Sequence, residues 1–377
     1  MPESHLPESW TILRSWLPAD LNASAAQHGF FRRARGLQDA ECWLRLILMH
    51  VAGGLSLEQT VVRARELKLA EVSAVALFKR LRGAQPWLLE LTRQLLLEQQ
   101  RFLHRAPLLG PARIRVVDAT DIQEPGDTGS FWRLHYSLQL PELSCDHFEL
   151  TDEKGGEKLG RFLFAPGEWV LADRGYSHRA GAAGVLNAGA QLVVRWNPPV
   201  FPLENEARKA FLPLSELRQL TPGEVRQWPA YFVHAGQRHR VWLCALRKSK
   251  LAAERAQRKV QQKARRNQSR EPEAESLELA CYVLVITSVA PEVCAAGKVL
   301  ELYRCRWQIE LAFKRLKSLL GLGHLPKKDE LSAKSWMQAK VLTALLIERV
   351  LWEAKLFSPW GYRLGGGEPV AGVSRGE

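Results

Sequence analysis

The sequence predicts an α/β protein with a helical N-terminal region, and two observations carry that expectation. Apolar residues recur at helical spacing up to about residue 105, and from about residue 111 their period shortens to that of a strand. Beyond that change, strand-like runs alternate with short helical ones, the order of a sheet with helices on its faces. The 377 residues allow two or three domains at roughly 150 residues each. A composition of 46% apolar and 25% charged residues excludes wholesale disorder, collagen-like repeats and coiled-coil rods. There is no internal repeat.

In the N-terminal region, CWLRLILMHVAGGL reads as a buried helix ending at Gly53-Gly54. Ser56 and Gln59 have capping-box spacing and open LEQTVVRARELKL. After the break at AEV, Ser73 can cap a second helix, AVALFKRLRG, which stops at Gly83. Two short helices with a tight turn suggest a helix-turn-helix, with Lys79, Arg80 and Arg82 late in its second helix as candidate DNA contacts. The alternative is a helical hairpin in a bundle whose charges are merely solvated.

The strand region begins with RIRVVDATDI, read as a strand ending at Asp118. FWRLHYSLQL alternates strictly, placing Trp132, Leu134, Tyr136 and Leu138 on one face. Pro141 marks a turn and LSCDHFEL returns as a third strand. GGEKLGRFL is a short helical candidate, EWVLADRGY a fourth strand ending at Asp173, HRAGAAGVLNAG a small helix closed by Gly189, and AQLVVRW a fifth strand. Residues 197–282 interrupt this order with strand-like pieces (AYFVHAG, HRVWLCAL) and a basic stretch at 247–270 holding ten Lys/Arg and one Glu. Such an excess is too lopsided for i,i+4 pairing and favours a segment that contacts phosphates. CYVLVITS is a further strand, VLELYRCRWQIELAFKRLKSLLG the strongest helix, and KSWMQAKVLTALLIERVLWEAKL a closing helix. The last residues, 358–377, are Gly-rich and read as a disordered tail.

Charge and cysteine usage bound the function. Fifty-three basic against 40 acidic residues give +13, which points to a polyanionic partner, most often nucleic acid. The 36 Arg suit phosphate forks, but such a preference is equally what a GC-rich genome writes, so it decides little. Six scattered cysteines form no C-x-x-C pair, so neither a zinc site nor a disulfide framework is legible. The polar, acidic start MPESHLPESW is unlike a signal peptide, and LILMHVAGGL is too short to span a bilayer. The expectation is a cytoplasmic protein with no membrane partner.

The helix from Leu302 to Leu320 carries the chemistry. Placed on a wheel, Tyr303, Arg306, Glu310, Lys314 and Lys317 fall within about 80° of arc. Leu302, Ile309, Phe313, Leu316 and Leu320 flank them on one side, Trp307 and Leu311 on the other. Charges between two apolar flanks are costly to bury unless paired or ligated. One reading is a structural ion-pair network; the other is a carboxylate that binds a metal, with cations beside it for phosphates. One carboxylate makes a poor Mg²⁺ site. Asp118 and Asp173, at two strand ends, are the natural companions of Glu310, with Asp121 a rival. Together the three propose a site for two divalent ions about 4 Å apart, suited to phosphoryl transfer.

Tyr303, Arg306, Glu310 and Lys317 stand, without a gap, at the spacing of the Tyr-Arg-Glu-Lys signature of insertion-sequence DDE transposases. The sequence resembles the insertion-sequence-four family of these bacterial mobile-element enzymes. LYRCRWQIELAFKRLKS is similar beyond the four positions, VVDATDI resembles the family's first-Asp strand and LADRGYS its second-Asp segment. The resemblance covers roughly residues 40–355. It implies a ribonuclease-H-like (retroviral-integrase-like) catalytic core with a β-rich insertion between the second Asp and the Glu, an interval of 137 residues here. The segments expected are a helical domain with the helix-turn-helix candidate at 1–108, the first part of the core at 109–196, the insertion at 197–282, and the core helix with a C-terminal helix at 283–357.

The same resemblance implies Asp118, Asp173 and Glu310 as catalytic metal ligands for Mg²⁺, with Mn²⁺ as substitute. Tyr303, Arg306 and Lys317 would contact DNA phosphates near the cleaved end, with Lys314 a neighbour and Arg195 a further phosphate contact. The implied reaction is cut-and-paste transposition: nicking at the element's end, a hairpin formed by the freed 3′-hydroxyl, its reopening, and strand transfer. The implied partners are double-stranded DNA, as terminal inverted repeats and target, and a second subunit in a homodimeric synaptic complex. In relatives of this kind a tryptophan in the insertion stacks on a flipped base. Only 67 residues follow Glu310, fewer than in many family members, so a truncated DNA-binding copy is one alternative. A metal-dependent nuclease without strand transfer is the other.

Overall fold

Ser56 opens its helix as its spacing predicts: its hydroxyl accepts from the Gln59 N–H while the Gln59 side chain accepts from the Ser56 N–H, a complete capping box. Ser73 likewise caps the next helix, which Gly83 closes. The structure is a computed structural model that describes residues 5–31, 37–102, 113–123, 131–266, 272–323, 325–326 and 329–356. The expected tail at 358–377 and the 108/109 segment boundary lie outside the described residues.

The chain divides into two compact units. The first, Met1–Arg105, Asp121–Trp132 and Lys314–Glu377, contains α1 (His5–Ser15), α2 (Leu21–Gln27), α3 (Ala40–Val51), α4 (Leu57–Glu66), α5 (Ala74–Arg82), α6 (Gln85–Phe102) and α13 (Glu330–Leu356). This division differs from the linear segments expected, because the closing helix packs among the N-terminal ones. Within α13, Ser335–Leu346 is buried on every side. Gln338 Nε2 donates to the Thr92 hydroxyl at 2.9 Å, both groups buried, and Arg82 pairs with Asp329 at 3.1 Å. No helix among the described residues is long and apolar enough to cross a membrane.

The second unit, Ala106–Thr120 with Arg133–Phe313, is built on the sheet. Its strands are β1 (Ile114–Gln123), β2 (Phe131–Leu140), β3 (Ser144–Asp152), β4 (Trp169–Ala172), β5 (Gln191–Arg195), β6 (Val225–His234), β7 (Gln237–Arg247) and β8 (Tyr282–Thr287). They order as β3-β2-β1-β4-β5-β8-β7-β6. β1, β4 and β5 run parallel, and β8, β7 and β6 continue the sheet antiparallel. The β-rich stretch after β5 thus lengthens one sheet rather than building another. Val117, Val170, Leu192, Val194, Phe232, Leu243 and Ile286 join in one core over this length. The helices of this unit are α7 (Arg179–Asn187), α8 (Leu214–Leu217), α9 (Lys250–Arg266), α10 (Ala274–Leu279), α11 (Ala296–Arg304) and the start of α12 (Trp307–Ser318).

Three local expectations are corrected. GGEKLGRFL forms only a 3-10 turn at Leu159–Arg161, since glycines favour loop over helix. The second face of β2 is buried as well: His135 and Ser137 are fully covered, His135 Nε2 meeting the Thr151 hydroxyl at 3.0 Å. Burial lowers the His135 pKa to about 4. Finally, the long helix is broken in two. Successive i→i−3 bonds, Cys305 N to Leu302 O, Arg306 N to Tyr303 O and Gln308 N to Cys305 O, tighten the chain between α11 and α12. That turn rotates α12 away from the wheel of α11, so Trp307 is 49% exposed and the Glu310 side chain 58% exposed. Of the second apolar flank expected on the wheel, Trp307 is therefore open to water and Leu311 only partly covered.

Candidate active site

The strand register builds the site. The β1–β4 ladder ends with Val117 opposite Ala172, and the β4–β5 ladder with Ala172 opposite Val194. The next residues are Asp118, Asp173 and Arg195, so two carboxylates and a guanidinium form one row across three parallel strands, Asp173 just past the end of β4, Arg195 at the end of β5 and Asp118 beside them within β1. Backbone amides past such strand ends are free to bind side chains and ligands. Asp173 caps the 3-10 turn Arg174–Tyr176 and accepts from Gly175 N–H at 2.7 Å. Asp118 continues β1, where the sequence alone suggested a strand end, and accepts from Ala119 N–H at 2.8 Å. Asp121, three residues on, belongs to the opposite face of an extended strand and is exposed; it lines a cavity of about 570 Å³ with Gln123, Lys317, Ser318 and Gly323.

Burial and the neighbouring charge of Asp173 push Asp118 up to about 7, against the pull of the Ala119 amide and of Arg306. Arg306, directly before α12, lies between two carboxylates: Nη1 donates to Asp118 Oδ2 at 3.2 Å and Nη2 to Glu310 Oε1. Tyr303, on α11, is buried, and burial pushes its hydroxyl up to about 12 although Arg306 and Arg195 pull the other way. Phe313 fixes α12 against β2 through an edge-on contact with Tyr136, ring centroids 5.9 Å apart. Asp118, Asp173, Tyr303, Arg306 and Glu310 therefore gather in one unit. Arg195 is exposed at the end of β5. Lys314 and Lys317 follow Glu310 at helical intervals on α12, Lys314 exposed, and belong to the other unit.

The helix-turn-helix candidates have other engagements. Arg80 donates to Phe30 O at 2.7 Å and lies over the rings of Phe30, Phe31 and Trp43, and Arg82 pairs with Asp329. Lys79 is exposed on the last turn of α5.

Sequence reasoning missed two residues here. The Glu157 carboxylate abuts Gly175, where a Cβ would fall 1.7 Å from Oε2. Its loop is braced by Arg133 Nη1 on Gly155 O at 3.0 Å and Arg161 Nε on Gly156 O at 2.9 Å. Tyr176 is buried with its hydroxyl lacking a hydrogen-bond partner; burial, then the charges of Asp118, Glu157 and Asp173, raise its pKa. Only the Gly-Gly before Glu157 hinted at a special turn.

Acidic side chains in register on adjacent parallel strands, an arginine shared with a helix-borne glutamate, and a strongly basic chain are the features of an enzyme of phosphoryl transfer on nucleic acid. Residues 150–347 match the family model described as the transposase DDE domain; Asp173 and Glu310 lie inside the match and Asp118 upstream of it. The putative transposase InsL for insertion sequence element IS186A of Escherichia coli strain K12 is 33% identical over 365 residues, which cover 93% of this chain and 96% of that relative. The transposase for insertion sequence element IS421 of Escherichia coli is 33% identical over 366 residues, with the same coverage. The chain belongs to the DDE transposases of insertion sequences: it is a transposase, and DNA is its partner.

DDE transposases use divalent metal ions. Among the described residues no three His, Cys, Asp or Glu side chains are gathered closely enough to hold one; the Arg306 guanidinium bridges Asp118 and Glu310 instead. The residues nonetheless fit such an ion. Their donors are hard carboxylate oxygens, burial and then the charge of Asp173 raise Asp118, a carboxylate that a cation would favour ionised, and among the described residues the buried Tyr176 hydroxyl has no hydrogen-bond partner.

Proposed function

We propose that the protein performs cut-and-paste transposition through a site in which Asp118, Asp173 and Glu310 hold Mg²⁺, with Mn²⁺ as substitute. The observation that carries this reading is the register that sets Asp118 beside Asp173 on adjacent strands. The order β3-β2-β1-β4-β5 with parallel central strands supports a ribonuclease-H-like core of the insertion-sequence-four kind. Bound there, divalent ions would activate the attacking oxygen and stabilise the leaving one.

The chain's own residues prepare that chemistry. Arg306 balances Asp118 and Glu310, and its fork is equally suited to a DNA phosphate. Arrival of a phosphate would draw the guanidinium off the carboxylates, leaving their oxygens for cations. Tyr303, Lys314, Lys317 and Arg195 would hold neighbouring phosphates and fix the cleaved end. Two copies would act as a homodimer, bringing the element's terminal inverted repeats together before attack on target DNA through hairpin ends. Lys79, Arg80 and Arg82 would add weaker contacts on α5. The work would take place in the cytoplasm, on the nucleoid.

The test uses purified protein, Mg²⁺ and a donor plasmid carrying the reading frame's flanking DNA, with Asp118→Asn in parallel. Joined product from the wild type alone supports the reading. Cleavage without joining indicates a nuclease, and binding without either product an inactive copy.

A further inference from the structure

Helix α9 is the one long helix of the sheet unit with no buried residue among those described. Its inner side is made of Ala253, Gln257, Val260 and Ala264, all partly covered, and Gln257 Nε2 ties it down to Leu277 O at 3.2 Å and Cys281 Sγ at 3.3 Å. The outer side carries Arg255, Lys259, Lys263 and Arg266, spaced four, four and three residues apart and all exposed. Like charges at these intervals repel one another along a helix. Glu254 is the helix's single acid and pairs with Arg258 at 3.8 Å, outside this stripe. Seventeen residues make the helix about 25 Å long, comparable with seven base pairs of duplex. Among the described residues no acidic side chain pairs with this stripe; a polyanion laid along it would relieve the repulsion and release its own counterions.

A second observation links the stripe to the carboxylates. β5 and β7 both pair antiparallel with β8, so their C-terminal ends, Arg195 and Arg247, lie at the same end of the sheet, with Lys248 and α9 following Arg247 in the chain; burial lowers the Lys248 pKa, and the charges of Arg195 and Lys259 lower it further. Lys248 is held in place by Ala280 O, 2.6 Å from Nζ, and Arg174 by Asn197 Oδ1 at 2.8 Å. Arg195, Lys248 and the start of α9 thus share one end of the sheet.

We infer that the track Arg174–Arg195–Lys248 and the outer stripe of α9 form a second DNA site, which takes the phosphate backbone of duplex DNA leading away from the carboxylates, without regard to sequence. The inference rests on DNA transposition as the chain's activity. Beyond Arg195, which would also contact the cleaved end, it names residues outside those that would do the cleavage.

The test compares wild-type protein with the full-length variant Arg255→Gln/Lys259→Gln/Lys263→Gln/Arg266→Gln, using a 30-bp duplex of arbitrary sequence and fluorescence anisotropy over a range of NaCl. Four lost phosphate contacts should reduce the slope of log affinity against log salt by about 3 to 4, and weaken binding at low salt on the order of 10- to 100-fold. A charge-keeping variant, Arg255→Lys/Lys259→Arg, should bind like wild type. Circular dichroism should show the fold intact, because the changes remove repulsion and touch no core. An unchanged slope and affinity overturn the inference, and so does a variant that loses single-stranded RNA but keeps duplex DNA. If in those cases wild type still yields joined product and Asp118→Asn does not, the transposase mechanism stands without it. A wild type that neither binds duplex nor cleaves it removes both.

Discussion

Asp118 and Asp173 each stand one residue past the last rung joining their strands, Val117 opposite Ala172, and the charge of Asp173 helps lift Asp118 to about 7. Two carboxylates held this way disfavour simultaneous ionisation. The fold thereby keeps a place where positive charge is worth most.

That placement sets a pH dependence. Asp118 has its pKa raised in the fold from 3.8 to about 7, so the folded state binds its proton more tightly. Between those values stability falls as pH rises, and above them the loss is complete. Asp118→Asn should therefore raise unfolding free energy at pH 8 by up to about 4 kcal/mol, at 1.4 kcal/mol per unit, and change little at pH 4. Thermal melts at both pH values check this; a lower midpoint for the variant at pH 8 would contradict it.

Divalent ions should substitute for that mutation. At pH 8, excess Mg²⁺ should raise the melting midpoint of wild type and leave Asp118→Asn/Asp173→Asn nearly unmoved. Equal stabilisation of both proteins would place the ion elsewhere.

Glu310 and Arg306 should separate chemistry from binding. Glu310→Gln should abolish cleavage while DNA affinity is nearly unchanged, because the side chain is open to solvent and its ion pair is with Arg306. Arg306→Ala should lower the salt slope of binding by about one contact, and push Asp118 further up by removing the cation that pulls it down. Gel assays and anisotropy measure the two effects; wild-type cleavage by Glu310→Gln would rule out its role.

Two glycines should respond differently to alanine. At Gly155 a Cβ would lie 2.0 Å from Thr151 Oγ1 and 2.4 Å from its Cβ, a side chain that cannot swing clear, so Gly155→Ala should cost about 1–3 kcal/mol. At Gly175 the clash is with the far end of Glu157, which can move. Gly175→Ala should leave the melting midpoint nearly unchanged and lower cleavage, and adding Glu157→Ala should not lower it further. Denaturation curves and cleavage rates distinguish these outcomes.

Much of the frame was legible locally. Ser56 with Gln59, and Ser73 with Gly83, define helix starts and stops through their own backbone bonds. The periodicity change located β1, and the spacing from Tyr303 to Glu310 marked a helical stretch that the fold divides between α11 and α12. The features that were not legible depend on distant chain. Nothing near Glu157 says that Gly175 will meet it, and no Gly or Pro marks the turn at Cys305–Arg306. The alternation of β2 promised one wet face, yet His135 and Ser137 are covered by structure far along the sequence. The placing of α13 among the N-terminal helices is of the same kind, fixed by pairs such as Thr92 with Gln338.

The position of β8 also bears on biosynthesis. It lies between β5 and β7, yet it is made 87 residues after β5 ends. At roughly 5–20 residues per second, the outer edge of β5 waits about 4–17 seconds on a translating ribosome with its backbone groups unpaired. The β6–β7 hairpin is complete before β8 appears, so the last strand must slot between two partners already formed. Until it does, a nascent chain presents two open edges to its neighbours on the same messenger.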